Sequence, residues 1–322
     1  MTSASIDPTT SGGAAADQTA HRVRTGPVFV VGRFRSGSTM VWQLFRQQPG
    51  WTTYLEPLHE HLLGHVAAEP GPVDPTHLGV SDYWREYRAL PRTQLEALAR
   101  PWFGRSRFRL RADDVADDLA AYVSFLVASA PRVMLKFTRA EFRTPWLRHA
   151  FPDATIVQLI RSPRALWTSS LGRSHEGHEQ DALAAGGYGT FLAYHEAIAA
   201  DIGLHVDGHP YRRFYAHSLL AAADALAHVD DTWRYEDIVA DPRGWADRHQ
   251  LFAADAPATT SRLHSRSVAA RFHTDDWYDA HEHEVARWVI EQGVSEQVLG
   301  WTDADRLDRA IRLLRPTGTT PA

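Results

Sequence analysis

The stretch VFVVGRFRSGSTMVWQLF, residues 28–45, carries the main evidence for the fold class. Its beginning, within PVFVVGRF (27–34), is β-branched and aromatic, which is the composition of a buried strand. Its end, within STMVWQLFRQQ (38–48), repeats apolar residues at helical spacing, with Met40, Val41, Leu44 and Phe45 on one side, until Pro49-Gly50 stops it. Between the two, Gly32–Thr39 must turn the chain from strand into helix. Gly37 permits a tight loop there, and the next amides along the chain face whatever lies in front of the helix. Ser38 and Thr39 add hydroxyl donors and Arg35 a charged fork, a set suited to an anion. The Gly-Lys-Ser/Thr ending by which nucleoside triphosphatases hold magnesium is missing. Taken alone, such a loop is also compatible with an ordinary capped helix.

Elsewhere in the chain, TTYL (52–55), RVMLKF (132–137), ATIVQLI (154–160) and TWRY (232–235) read as further strands. Helical patterns separate them, so the expected class is α/β, a central, mainly parallel sheet flanked by helices on both faces. In such sheets ligands bind beyond the carboxyl ends of the strands. Gly32–Thr39, Glu56, Lys136 and Arg161 each follow or close a predicted strand, which brings them to one rim. Residues 1–24 have the composition of a disordered tail and 25–315 that of a single domain. Within the domain, 69–108 reads as a lid or insertion and 255–315 as a helical C-terminal part. Trp84, Tyr87 and Trp102 fall in that lid, either to stack on an acceptor or to fill the core. The 172–188 loop is a second place for acceptor specificity.

Composition narrows the function. A hydrophobic fraction of 44 % with 23 % charged residues describes a globular protein with a substantial core. The net charge of −5 gives no global attraction for nucleic acid, so an anion site must be built locally. There is no cysteine, hence no disulfide framework and no thiolate chemistry. Nothing approaches the apolar length of a membrane span or a secretion signal, and the expected setting is cytoplasmic. Of the 34 lysines and arginines only Lys136 is a lysine. In an arginine-biased chain, a lysine at a strand end suggests that a compact, flexible ammonium is needed there. With 18 histidines, accidental clusters are expected; the His61/His65 pair and the acidic, histidine-rich 273–284 are read without a metal.

A second element complements the loop. IRSPRALWTSS (160–170) places Arg161 at the end of a strand and Ser169 two turns into the next helix, with Arg164 between them. A phosphate at each of two strand ends suggests a nucleotide phosphorylated at both ends. Here the chain resembles the sulfotransferases that use 3′-phosphoadenosine 5′-phosphosulfate (PAPS), especially their carbohydrate-type branch, with a three-layer P-loop-like fold. FRSGSTMVWQLFRQQPGWTTYLEP (34–57) is similar to that branch's phosphosulfate loop and Glu-Pro segment, and IVQLIRSPRALWTSS (156–170) to its 3′-phosphate motif. RVMLKFTR (132–139) and WRYEDIVADP (233–242) resemble two further segments. The resemblance implies that Arg35, Ser36, Gly37, Ser38 and Thr39 bind the 5′-phosphosulfate, and Arg161 with Ser169 the 3′-phosphate. Ser162 stands where the family often has Asp or Asn, and no glycine-rich adenine loop is evident.

Sulfuryl transfer needs an acceptor hydroxyl to lose its proton and a departing phosphate oxygen to have its growing charge met. Arg35 is placed for the second task, with Lys136 assisting. For the first, Glu56 in YLEPLHEH is the favoured general base, as the resemblance implies, with His59 as the alternative. Glu236 and Asp237 read as helix caps. The expected acceptor is a hydroxyl of a carbohydrate or small molecule. The rival functions are a P-loop kinase and a nucleotide-binding module without catalysis.

Overall fold

The computed structural model describes residues 26–68, 80–103, 108–171, 191–249 and 272–315, with the single positions Val73, His77, Glu179, Leu183 and Leu251. The strand in the loop-bearing stretch forms as β1, Val28–Gly32, and is buried at every position. A strand apolar on both faces belongs in the middle of a parallel sheet, and β1 lies there. β2 (Thr52–Leu55), β3 (Val133–Phe137), β4 (Thr155–Ile160) and β5 (Asp231–Arg234) complete a five-stranded sheet of order β2-β3-β1-β4-β5. Every pairing is parallel. The register sets Val31 opposite Phe137 on one side and Gln158 on the other, while Leu55 pairs with Lys136 and Ile160 with Arg234. Gly32, Glu56, Thr138, Arg161 and Tyr235 therefore stand at one rim.

Helices flank the sheet in two packed groups. In the first, helices Ser38–Arg46 and Asp117–Val127 bury Trp42, Phe45, Tyr122 and Val123 with the strand residues Phe29 and Tyr54. In the second, helix Pro210–Ala225 packs against β4 and against helices Asp275–Glu291 and Ala304–Leu314. Almost all of it is buried, Phe214 and Leu219 included. Among the described residues no helix is long and apolar enough to cross a membrane.

The described part of the 69–108 segment is packed into the first group: Trp84 and Tyr87 are 5 % and 1 % exposed. The Tyr87 hydroxyl donates to the Leu55 carbonyl at 3.0 Å, and Arg46 grips Glu86 through two bonds of 2.8 and 2.9 Å. These two aromatics fill core. The side chain of Trp102, the tail 1–24 and the 172–188 loop apart from Glu179 and Leu183 lie outside the described residues.

Candidate active site

The loop after β1 is shaped by backbone that few residues adopt. Arg35 and Gly37 have φ of 67° and 86°, and the Ser36 amide donates to the Arg33 carbonyl at 3.1 Å, closing the turn. An arginine in the left-handed region costs about 1–2 kcal/mol, so the surrounding structure has to impose it. Two glycines admit no side chain unless their neighbours shift. A Cβ on Gly32 would come within 2.8 Å of Ser36 Oγ, and one on Gly37 within 2.2 Å of two Tyr235 ring carbons. Helix Ser38–Arg46 then begins at Gly37 without a side-chain cap, which leaves its positive end open to an anion. Ser36 is fully buried, and its hydroxyl oxygen has no hydrogen-bond partner.

β4 delivers the second element to the same place. Arg161 Nη1 donates to the Arg35 carbonyl at 2.7 Å, and its guanidinium lies 4.5 Å over the Tyr235 ring. Its Nε is buried without a partner. Arg35 Nε donates to Ser169 Oγ at 2.9 Å across 134 positions of sequence. The two phosphate elements, read from the sequence as separate, thus touch. Ser162 holds the N-cap position of helix Pro163–Leu171, its carbonyl accepting from Leu166 at 3.0 Å while its amide donates to Glu236 at 2.9 Å. Glu236 caps this helix rather than its own. Arg164 turns away from the rim to helix Asp275–Glu291, binding Glu282 through two 2.9 Å bonds, Asp279, and Asp275 at 3.3 Å.

A third group forms around Glu56, beyond β2. Its backbone is also left-handed, at φ 49°, and its amide donates to the Lys136 carbonyl at 2.8 Å. Lys136 Nζ donates to Oε1; Thr138 Oγ1 and Arg139 Nη1, the latter at 3.0 Å, donate to Oε2. Burial alone would raise the pKa of this carboxyl. The charges of Lys136 and Arg139 and these hydrogen bonds outweigh it and hold the pKa at about 2. Arg139 also pairs with Glu60 at 2.8 Å and lies 4.8 Å over the Phe34 ring, which ties this group to the loop.

Lys136 is therefore bonded to Glu56, whereas the sequence led us to expect it beside a leaving phosphate. Thr138 and Arg139 were missed, although they directly follow the strand that carries Lys136. Their position past its end was the available signal. His59, the alternative base, is engaged on one ring nitrogen. Its Nδ1 accepts from the His61 amide at 3.1 Å, so the neutral ring carries its proton on Nε2. Burial and Arg139 lower its pKa to about 4.

Two histidine–carboxylate groups are paired internally. Beneath the loop, Arg33 reaches His195 Nδ1 at 3.0 Å and Glu141 at 3.4 Å, and Glu141 meets His217 at 2.6 Å. A cation there would face the guanidinium of Arg33. In the other, Glu179 Oε1 accepts from Trp167 at 2.5 Å, and Oε2 lies 2.5 Å from His273 and 3.1 Å from His209. His209 Nδ1 accepts from the Tyr211 amide at 3.2 Å, so its Nε2 carries the proton and has no lone pair for a metal.

A parallel sheet whose rim carries an anion-type loop, two arginines and a buried ionised carboxylate is the plan of a group-transfer enzyme with a P-loop-like fold. The chain belongs to the sulfotransferase family, whose model matches residues 27–254. Solved structures similar to it include the sulfotransferase domain of the olefin synthase from Synechococcus PCC 7002, at 16 % identity and a TM-score of 0.37, covering 90 % of this chain and 94 % of that one. Sulfotransferase STF9 from Mycobacterium avium is similar at 14 % identity and a TM-score of 0.35, covering 90 % and 76 %. A search of curated proteins gives no match.

Proposed function

We propose that this protein transfers the sulfuryl group of PAPS to a hydroxyl of a carbohydrate or small-molecule acceptor. The observation that carries the reading is the direct contact of Arg35 with Ser169 and of Arg161 with the Arg35 carbonyl. With the loop and the Arg161/Ser169 element read as anion-binding, this contact supports a donor phosphorylated at both 3′ and 5′. The residues fit such a donor. Ser36 Oγ and Arg161 Nε are buried polar atoms without partners, and the loop backbone opens onto an uncapped helix end.

In this reading Arg35 and Ser36–Thr39 hold the 5′-phosphosulfate, while Arg161 and Ser169 hold the 3′-phosphate. The donor supplies an activated sulfur in a mixed anhydride. Arg35 sits where charge grows on the departing phosphate oxygen, and a preformed guanidinium there lowers the barrier without reorganising. Lys136 provides a second positive charge. Glu56 takes the proton of the acceptor hydroxyl.

Incubation with radiolabelled PAPS and a panel of sugars, phenols and alcohols is expected to give a labelled product and release 3′-phosphoadenosine 5′-phosphate (PAP). If PAPS neither binds nor transfers label to any acceptor, the reading fails.

A further inference from the structure

We propose that Lys136 is a partner-exchanging residue that masks Glu56 in the free protein and moves to the donor's 5′-phosphate when the loop is filled, releasing Oε1 to act as base. The inference rests on the donor reading above and extends it to the order of events.

It starts from a conflict within the site. Both oxygens of Glu56 are engaged by donors, Oε1 by Lys136 and Oε2 by Thr138 and Arg139. A carboxylate held in this way accepts a proton poorly, because taking one means losing a charged hydrogen bond. One of the donors has to leave before an acceptor hydroxyl can use the group.

The structure distinguishes between them. Arg139 is fixed a second time by Glu60 and by the face of Phe34. Thr138 is short and carries no charge that a phosphate would draw away. Among the described residues Glu56 is the one polar partner of Lys136. Lys136 also stands in the right place. β3 runs between β2, which ends one residue before Glu56, and β1, which leads into the phosphate loop, and Lys136 is paired with Leu55 on one side and Val30 on the other. A four-carbon stem rooted on the strand between those two ends has the freedom to exchange the base for an anion in the loop. A planar guanidinium would trade partners less readily, and this is the only lysine in a chain that otherwise uses arginine.

The atoms balance. The acceptor oxygen bonds to sulfur as the sulfur–oxygen bridge to phosphate breaks, and the electron pair of that bond stays on the phosphate oxygen beside the Lys136 ammonium. The hydroxyl proton passes to Glu56 Oε1 and leaves to solvent when product departs. Arg139 and Thr138 keep Oε2 in position throughout. The free protein consequently holds a blocked base, and donor must precede productive acceptor binding.

Because the chain has a single lysine, side-chain nitrogen labelling gives a single ammonium resonance to track by NMR. In the free protein we expect that resonance to shift on Glu56→Gln. Adding PAP is expected to move the wild-type signal and to cut the difference between wild type and Glu56→Gln by about half or more, since Lys136 no longer reports on position 56. PAP that binds by calorimetry while the wild-type resonance stays in place overturns the exchange and leaves the donor reading intact. Failure of PAP to bind overturns both. Lys136→Arg serves if Glu56→Gln does not fold. It should bind PAP within roughly threefold of wild type yet lose about a hundredfold in kcat, and an equal loss in both would contradict the proposal.

Discussion

Glu56 combines three unusual properties in one residue: a left-handed backbone, burial, and a carboxyl whose pKa lies near 2. Replacing it by Gln removes the proton acceptor but keeps the shape. Turnover should fall about 10²–10⁴-fold while PAP still binds, at least as tightly as to wild type because Lys136 no longer has to leave a carboxylate. The substitution also leaves the Lys136 ammonium buried without its counter-charge, for which a loss of about 3–5 kcal/mol is expected in urea unfolding. The same carboxyl makes stability depend on pH. Its folded pKa of about 2 lies below the ordinary 4.5, so its contribution is complete above 4.5 and is lost as pH falls through 2. Glu179, also held at about 2 through His209, Trp167 and His273 against the opposing effect of burial, acts in the same window. The urea midpoint should therefore drop steadily from about pH 4.5 downward; a flat profile would contradict the pairing seen around Glu56. At the level of single residues the gathering of Arg35, Glu56, Lys136 and Arg161 at one rim was legible, because each closes or follows a strand. The pairing of Lys136 with Glu56 was not, since it depends on which strands are neighbours.

The loop and helix Pro163–Leu171 are the elements that make the anion site. Gly37→Ala would force a methyl onto the Tyr235 ring and strain a φ of 86°. It should weaken PAP binding by at least about tenfold while far-UV circular dichroism stays unchanged. Helix Pro163–Leu171 is held from behind by Arg164, whose partners Asp275, Asp279 and Glu282 lie in one later helix. Arg164→Ala removes that clasp and leaves Glu282 buried without a cation. A loss of about 3 kcal/mol in stability is expected, together with weaker discrimination between PAP and adenosine 5′-phosphate. Long strands and helices showed in the sequence through their apolar period. The short helices Thr144–Ala150 and Val294–Leu299 did not, being under two turns each and fixed by packing rather than pattern.

Across the whole molecule, the family match stops at residue 254, yet the second core is closed by helices beyond that point. Tyr278, Val285, Val289, Leu307 and Leu314 bury the flank of helix Pro210–Ala225. A chain cut after Leu251 would expose that helix and should lack the near-UV dichroism of a packed core. A well-folded truncated protein would show instead that the C-terminal helices are dispensable. The alternation of strands and helices announced the parallel sheet, but the role of the last helices as a core wall was hidden, because amphipathicity does not name the surface it covers. The functional reading stands or falls on whether the rim grips a nucleotide phosphorylated at 3′ and 5′. The decisive experiment is calorimetry of PAP against adenosine 5′-phosphate, on wild type and Arg161→Ala. PAP is expected to bind wild type at least about tenfold more tightly, with Arg161→Ala erasing most of that preference. Equal affinity of wild type for the two nucleotides, or a preference untouched by the substitution, would contradict it.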